Sequence, residues 1–202
     1  GLDIINRKTW KRSTFNYRKI AEDSTSLRWY MPNEFLKDNQ GNIWIAQGFL
    51  GLFHTPDSTF RYFKPNPKDS PKYNHNVRGV LQLDNKSLLV AAGDYLSVFD
   101  LEERSYKSHH THSPEDTTAQ ILYFSKVMKD RKGYFWTIGS GLGQIDSDLN
   151  IIGFYFKDGG TDGKSLSHNN TMSAREDKEG NIWVATYGGG LNKMELENET
   201  IR

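Results

Sequence analysis

The 202-residue sequence contains no cysteine. This absence excludes disulfide bonds, thiolate nucleophiles and zinc sites built from cysteine. An excess of charge of one sign is also lacking, because 26 Lys and Arg residues nearly balance 25 Asp and Glu residues. Domains that bind nucleic acid carry a strong basic field. No apolar run approaches the roughly 18–20 residues that a membrane-spanning helix needs. The composition therefore predicts no nucleic-acid partner and no insertion of this segment into a membrane.

What the sequence has in quantity is aromatic residues (13%) and glycine (18 residues), a mixture that suits short strands joined by tight turns. One pattern, an Asp turn followed by an apolar strand, recurs along the chain. Its copies are Asp38–Ala46, Asp130–Ile138 and Asp177–Ala185, with a shorter, degenerate copy at Asp84–Ala91. The leading aspartates are 46, 46 and 47 residues apart. Residues 26–52 align without a gap on residues 165–191, with ten identities in 27 positions. The chain is therefore built from an internal repeat.

Each copy predicts a hairpin turn, in which the Asp carboxylate accepts N–H groups and the glycine takes a positive φ. The predicted turn residues are Asp38 with Gly41, Asp130 with Gly133, and Asp177 with Gly180. A calcium loop is the alternative interpretation, but these segments lack the further oxygen ligands and the closing Glu of such a loop. We therefore expect structural turns without a metal or a cofactor.

Four short strands in each period of about 46 residues, without helical periodicity, predict an all-β fold of the β-propeller type. We expect about four to five four-stranded antiparallel blades, forming an open segment of a larger, six- to eight-bladed ring. The predicted divisions are a partial blade at 1–20 and blades at 26–64, 72–107, 118–157 and 165–202. Trp44, Trp136 and Trp183 occupy equivalent repeat positions, and we expect them to be buried between neighbouring blades. Because the two ends duplicate rather than complement each other, we expect open sheet edges that favour association.

Residues 165–170 read Ser-Leu-Ser-His-Asn-Asn, and residues 176–192 contain Asp-Lys-Glu-Gly-Asn-Ile-Trp-Val-Ala-Thr-Tyr-Gly-Gly-Gly-Leu-Asn. This pattern closely resembles the two-component regulator propeller repeat. The resemblance implies the periplasmic sensor region of a hybrid histidine kinase of Bacteroides-like bacteria, the extracytoplasmic part of an inner-membrane sensor. It also implies an oligosaccharide ligand, contacts with other blades of the parent chain and a homodimer partner. Kinase activity would belong to the parent, so we expect no enzymatic activity in this chain.

In a propeller, the loops before the first strands and the loops between second and third strands share one rim. Aromatic rings beside amides and an Arg supply the stacking and the directional hydrogen bonds that sugar rings need. The candidate ligand-binding residues on this rim are Arg28, Trp29, Tyr30, Phe49, Tyr73, Asn74, His75, His168, Asn169 and Tyr187. A structural interpretation, in which these loops pack against one another, stays open. It applies most to His168 and Asn169, which belong to the repeat motif.

Two other functions also stay open. The first is a protein-interaction or dimerisation scaffold that binds no sugar. The second is a propeller lyase or glycosidase, which needs a carboxylate pair or a His, Tyr and Arg cluster on the axis. Glu34 is the only carboxylate near the predicted central rim, so we expect no catalytic residues. The metal-like cluster His109–His112 lies in a polar segment, which predicts a solvated loop between two blades.

Overall fold

A computed structural model describes residues 2–15, 32–54, 59–64, 76–93, 95–111, 123–157, 164–196 and 200–201. The described residues form eighteen β-strands and no helix, which confirms the predicted all-β class. The strands are β1 (Leu2–Ile5), β2 (Arg12–Phe15), β3 (Glu34–Lys37), β4 (Ile43–Gln47), β5 (Phe49–His54), β6 (Thr59–Phe63), β7 (Val77–Gln82), β8 (Ser87–Ala92), β9 (Tyr95–Asp100), β10 (Ser105–Thr111), β11 (Phe124–Lys129), β12 (Phe135–Gly139), β13 (Gly141–Ile145), β14 (Ile151–Tyr155), β15 (Thr171–Glu176), β16 (Ile182–Thr186), β17 (Gly190–Glu195) and β18 (Thr200–Ile201).

The strands assemble into four four-stranded antiparallel sheets and one two-stranded sheet. Each four-stranded sheet is a meander of consecutive strands, and we call the sheets β3–β6, β7–β10, β11–β14 and β15–β18 blades 1 to 4. The first strands of neighbouring blades contact one another, so β3, β7, β11 and β15 lie side by side along the inside of the arc. Within the described residues, β1 pairs only with β2 and no strand pairing closes a ring. The fold is therefore an open, partial propeller.

The Asp carboxylate organises the hairpin between the first and second strands of a blade. In blade 1, Asp38 Oδ1 accepts the backbone N–H groups of Gln40 (3.0 Å) and Asn42 (2.8 Å). Its Oδ2 accepts the indole Nε1–H of Trp44 at 2.8 Å. Burial raises the pKa of Asp38, but these donors outweigh burial and hold the pKa below its ordinary value. The turn bonds confirm the prediction, whereas the bond to the indole was not predicted.

The same arrangement recurs two and three repeats further on. The indole of Trp136 donates to Asp130 Oδ2 and that of Trp183 donates to Asp177 Oδ2, each at 2.8 Å. The turn glycines Gly41, Gly133 and Gly180 have φ values of +88°, +94° and +91°, as predicted. The repeat therefore encodes a turn whose carboxylate fixes both the backbone of the hairpin and the orientation of the following tryptophan.

Trp44 and Trp136 are buried between blades, as expected. Trp44 is 2% exposed, and its ring lies 5.4 Å from that of Phe99 in the next blade. Trp136 is fully buried in the core between blades 3 and 4. In blade 2, where the repeat lacks tryptophan, Leu89 packs in the core shared with blade 3.

The expectation of burial is wrong for Trp183, which is 37% exposed. Each earlier tryptophan is covered by the blade that follows it in the chain. Trp183 lies in blade 4, and no further described blade covers this face. Its indole retains the bond to Asp177, and Lys193 Nζ lies 6.0 Å from the ring centroid.

The predicted solvated loop at His109–His112 is also wrong for the part that the structure describes. His109, His110 and Thr111 lie in β10, where His109 pairs with Ser97 and His110 with Leu96. A register shift between Tyr106 and Ser108 lets β10 continue along the full length of β9. His112 lies outside the described residues, within which no cluster of three or more potential metal ligands occurs.

Candidate functional site

Backbone bridges join each blade to the next and create the candidate site. The turn between the second and third strands of one blade pairs with the start of the first strand of the following blade. Gly48 and Val77 exchange two backbone hydrogen bonds of 2.9 Å. The equivalent bridges of the next blades join Gly93 to Phe124 and Ser140 to Asn170. The two kinds of loop therefore meet on one rim, as expected from the sequence.

A cleft of about 1060 Å³ lies on this rim, along the starts of β7, β11 and β15. The lining residues that carry its chemistry are Arg78, Tyr123, Lys126, His168, Asn169 and Tyr187. This volume slightly exceeds the roughly 300–1,000 Å³ of ordinary small-molecule pockets. The cleft is therefore large enough for an extended polar ligand.

The structure brings three of the ten predicted ligand-binding residues into this cleft, namely His168, Asn169 and Tyr187. Phe49 does not line the cleft; Lys64 Nζ lies 5.2 Å from the centroid of its ring. The other predicted residues, Arg28, Trp29, Tyr30, Tyr73, Asn74 and His75, lie outside the described residues.

The segment that carries the repeat motif is anchored to blade 4. Leu166 is buried in the core between blades 3 and 4. The backbone N–H of Ser167 donates to Asn192 Oδ1 at 2.9 Å, and Asn192 Nδ2 donates to the Ser167 hydroxyl at 2.9 Å. Asn192 is itself buried in β17. The motif residues that precede His168 therefore fix the position of this loop.

Within that loop, His168 and Asn169 support the backbone. His168 Nδ1 accepts the N–H of Asn170 at 3.0 Å, and Asn169 Oδ1 accepts the N–H of Lys157. These contacts favour the structural interpretation for both side chains. Tyr187, by contrast, is 68% exposed, so its ring is accessible at the cleft.

Arg78, which was not among the residues predicted from the sequence, has a side chain held in a fixed orientation. Its guanidinium carbon lies 5.0 Å from the centroid of the Tyr123 ring. The carboxamide oxygen of Asn76, in the orientation that satisfies its neighbours, accepts Arg78 Nε (3.1 Å) and Nη2 (3.2 Å). It also accepts the hydroxyl of Tyr123 at 3.1 Å. The available signal was a positively charged residue near the start of a first strand, which also marks Lys126 in β11.

Glu34, the carboxylate expected near the central rim, is engaged elsewhere. Its Oε2 accepts the N–H of Val80 at 2.9 Å, which ties blade 1 to blade 2. Burial raises the pKa of Glu34, although the Val80 N–H and the positive charges of Lys126 and Arg175 oppose the shift. Glu34 does not line the cleft, and no Asp or Glu occurs among the described lining residues.

Four-stranded antiparallel blades bridged along an open arc define the β-propeller class. Residues 165–188 match the family model of the two component regulator propeller. This match confirms, over these residues, the resemblance found in the sequence. No curated protein matches the sequence.

Solved structures share the fold at low identity. The extracellular domain of a putative hybrid two component system from B. thetaiotaomicron is 19% identical, with a TM-score of 0.51 over 96% of this chain and 30% of that chain. PorZ, a surface component of the type-IX secretion system of Porphyromonas gingivalis, is 15% identical, with a TM-score of 0.60 over 93% of this chain and 28% of that chain.

A protein of unknown function from Bacteroides caccae is 15% identical, with a TM-score of 0.58 over 98% of this chain and 66% of that chain. The present chain therefore spans between 28% and 66% of the length of these structures. None of the described residues forms a helix that could cross a membrane.

Proposed function

We propose that this chain is a segment of the extracytoplasmic sensor propeller of a two-component signalling protein and that its rim cleft recognises an oligosaccharide. The family repeat at residues 165–188 supports a role in signalling. The similarity to an extracellular domain of a putative hybrid two component system supports a periplasmic location. Catalysis of phosphate transfer would belong to other parts of the parent protein.

The observation that carries the proposal is the chemistry of the cleft. Tyr187 offers an exposed aromatic face, and Asn33, Asn170 and Ser140 place amide and hydroxyl groups along the same surface. A sugar ring needs a flat apolar partner for its C–H face and directional partners for its hydroxyls. The cleft presents both without a carboxylate on its described lining, which favours recognition over glycoside hydrolysis.

Binding of an oligosaccharide panel to the 202-residue chain, measured by isothermal titration calorimetry, tests this proposal. The panel contains neutral and acidic oligosaccharides of two to six sugars. We expect Tyr187→Ala to weaken binding at least tenfold, because the ring loses its stacking contact with the sugar. Trp10→Ala is the matched control, since Trp10 is 77% exposed and lies outside the cleft. Absence of binding by every member of the panel, or equal losses in the two variants, contradicts the proposal.

A second candidate function is a docking scaffold. The feature that favours it is the face of blade 4 that carries Trp183 and that no further described blade covers. Trp183 pairs with Lys193 and Ala185 pairs with Leu191, so these four side chains share one face of the sheet. Trp183 is 37% exposed and Leu191 is 60% exposed. In the earlier blades the equivalent face is covered by a neighbouring blade, so a blade of the same type fits this surface. Sedimentation velocity of the wild-type chain and of Leu191→Lys tests whether this face drives self-association.

A further inference from the structure

We infer that the rim cleft selects an acidic oligosaccharide, whose carboxylate or sulfate group is bound by Arg78 and Lys126. The inference rests on the proposed function, since it assigns a ligand class to the same cleft. It adds two residues from the first strands β7 and β11 to a site that sequence reasoning placed entirely in loops.

Arg78 is oriented for binding an oxyanion. The guanidinium lies over the Tyr123 ring, and the carboxamide oxygen of Asn76 accepts one N–H from Nε and one from Nη2. A guanidinium has five N–H groups, so the two on Nη1 and the second on Nη2 remain. These groups form the fork that binds a carboxylate or a sulfate through two parallel hydrogen bonds. Because the side chain is already ordered by its own contacts, a ligand loses little of its binding energy to ordering it.

The positive charge of the cleft is only partly compensated within the described part of the protein. Neither Arg78 nor Lys126 has a described carboxylate within ion-pair distance, although other pairs, such as Arg131 with Glu176 at 3.1 Å, do form. Glu34 acts on Lys126 through its charge, but its carboxylate is bonded to the Val80 N–H and does not line the cleft. Both cations are half-buried. An anion in this cleft would therefore gain Coulombic attraction that surface water does not fully screen.

The remaining lining suits the sugar to which the anion is attached. Tyr187 presents its ring, and Asn170 and Ser140 supply polar groups on the adjacent blade junction. A free inorganic anion uses only the Arg78 and Lys126 contacts, whereas an acidic sugar uses both parts of the cleft. The ligand class is therefore an oligosaccharide that contains a uronic acid or a sulfate ester.

Calorimetry with three matched probes tests the inference. The probes are an oligogalacturonate trisaccharide, its carboxyl-reduced neutral counterpart, and a sulfated trisaccharide of the same length. We expect at least one acidic probe to bind at least tenfold more tightly than the neutral probe, and the better acidic probe identifies carboxylate or sulfate as the group bound. The affinity for that probe falls as NaCl is raised from about 50 to about 300 mM, because salt screens the charges.

Two variants with one matched control locate the effect. Arg78→Lys keeps the charge but removes the fork, and Lys126→Gln removes one charge. We expect each variant to weaken the acidic probe at least tenfold and to weaken the neutral probe by a clearly smaller factor. Lys178→Gln is the control, because Lys178 is exposed in the hairpin turn at the opposite end of β15. Equal affinity for neutral and acidic probes, or an equal loss in Lys178→Gln, overturns the inference. Neutral binding that depends on Tyr187 would then leave the proposed function intact, whereas absence of all binding overturns both.

Discussion

Truncation of the repeat tryptophans tests how neighbouring blades stabilise each other. Trp136 and Trp183 make the same 2.8 Å hydrogen bond to the aspartate of their own turn, but Trp136 is fully buried and Trp183 is 37% exposed. We therefore expect Trp136→Ala to lower the free energy of unfolding considerably more than Trp183→Ala. The difference between the variants reports the packing of blade 3 against blade 4.

The expected difference follows from the exposed area. A buried tryptophan removes up to about 250 Å² from water. The 37% exposure of Trp183 then leaves about 90 Å² accessible, and at about 25 cal/mol per Å² this area corresponds to about 2 kcal/mol. Truncation of a buried tryptophan costs about 3–5 kcal/mol. We therefore expect about 3–5 kcal/mol for Trp136→Ala and about 1–3 kcal/mol for Trp183→Ala.

Urea unfolding followed by far-ultraviolet circular dichroism measures both values, because the backbone dominates this signal and both variants lose one indole. The Trp→Phe variants at the same two positions separate the hydrogen bond from the packing, since phenylalanine keeps most of the bulk but donates nothing. Equal losses of unfolding free energy in Trp136→Ala and Trp183→Ala would refute the idea that the following blade provides the stabilisation.

Three further predictions concern the turns. Gly133 has a φ of +94°, and no neighbouring atom lies within 4 Å of the position that a Cβ would take. Gly133→Ala is therefore expected to lower the free energy of unfolding by about 1–2 kcal/mol through backbone strain alone. An unchanged melting temperature would contradict this prediction. Burial raises the pKa of Asp38, but its N–H donors lower the pKa by more than burial raises it. The carboxylate therefore stabilises the fold above its unfolded pKa of about 4, and this stabilisation is lost as pH falls through the lower folded pKa. Asp38→Asn should flatten the acid limb of a titration of unfolding free energy against pH, and an unchanged acid limb would count against this role. Glu176 Oε1 lies 3.1 Å from Arg131 Nε of blade 3. Glu176→Gln is therefore expected to lower the free energy of urea unfolding by about 1 kcal/mol at low salt and by less in about 0.5 M NaCl. A loss that does not depend on salt would argue against an electrostatic contribution.

Much of the fold could be predicted from the sequence because each blade is a meander of consecutive strands. Its hairpins depend on residues close in the chain, such as Asp38 and Gly41, whose positions repeat with the period. The degenerate copy at Asp84 forms the same kind of blade, with β8 completely buried, although its glycine and tryptophan are missing. Apolar strands at the correct spacing are therefore sufficient for a blade even where the turn motif is incomplete.

The candidate site could be predicted only in part. Tyr187 and the loop at His168 were placed on the correct rim because the repeat defines where second strands end and first strands begin. Arg78 was missed because a strand position alone does not show that its side chain stacks on Tyr123 of the next blade. That contact depends on the angle between two blades, which is a property of their packing.

By itself, the sequence determined the repeat, the order of the strands and the turns, because these features depend on short-range hydrogen bonds and on the alternation of apolar residues. Only the tertiary structure decided which side chains meet across blades. The contacts between blades join residues about one repeat apart, such as Glu34 with Val80, 46 residues apart, and Asn76 with Tyr123, 47 residues apart. The tertiary structure also decided that Trp183 is exposed, although it occupies the same repeat position as two buried tryptophans. The physical reason is that burial belongs to a pair of neighbouring blades and not to the repeat that each blade carries.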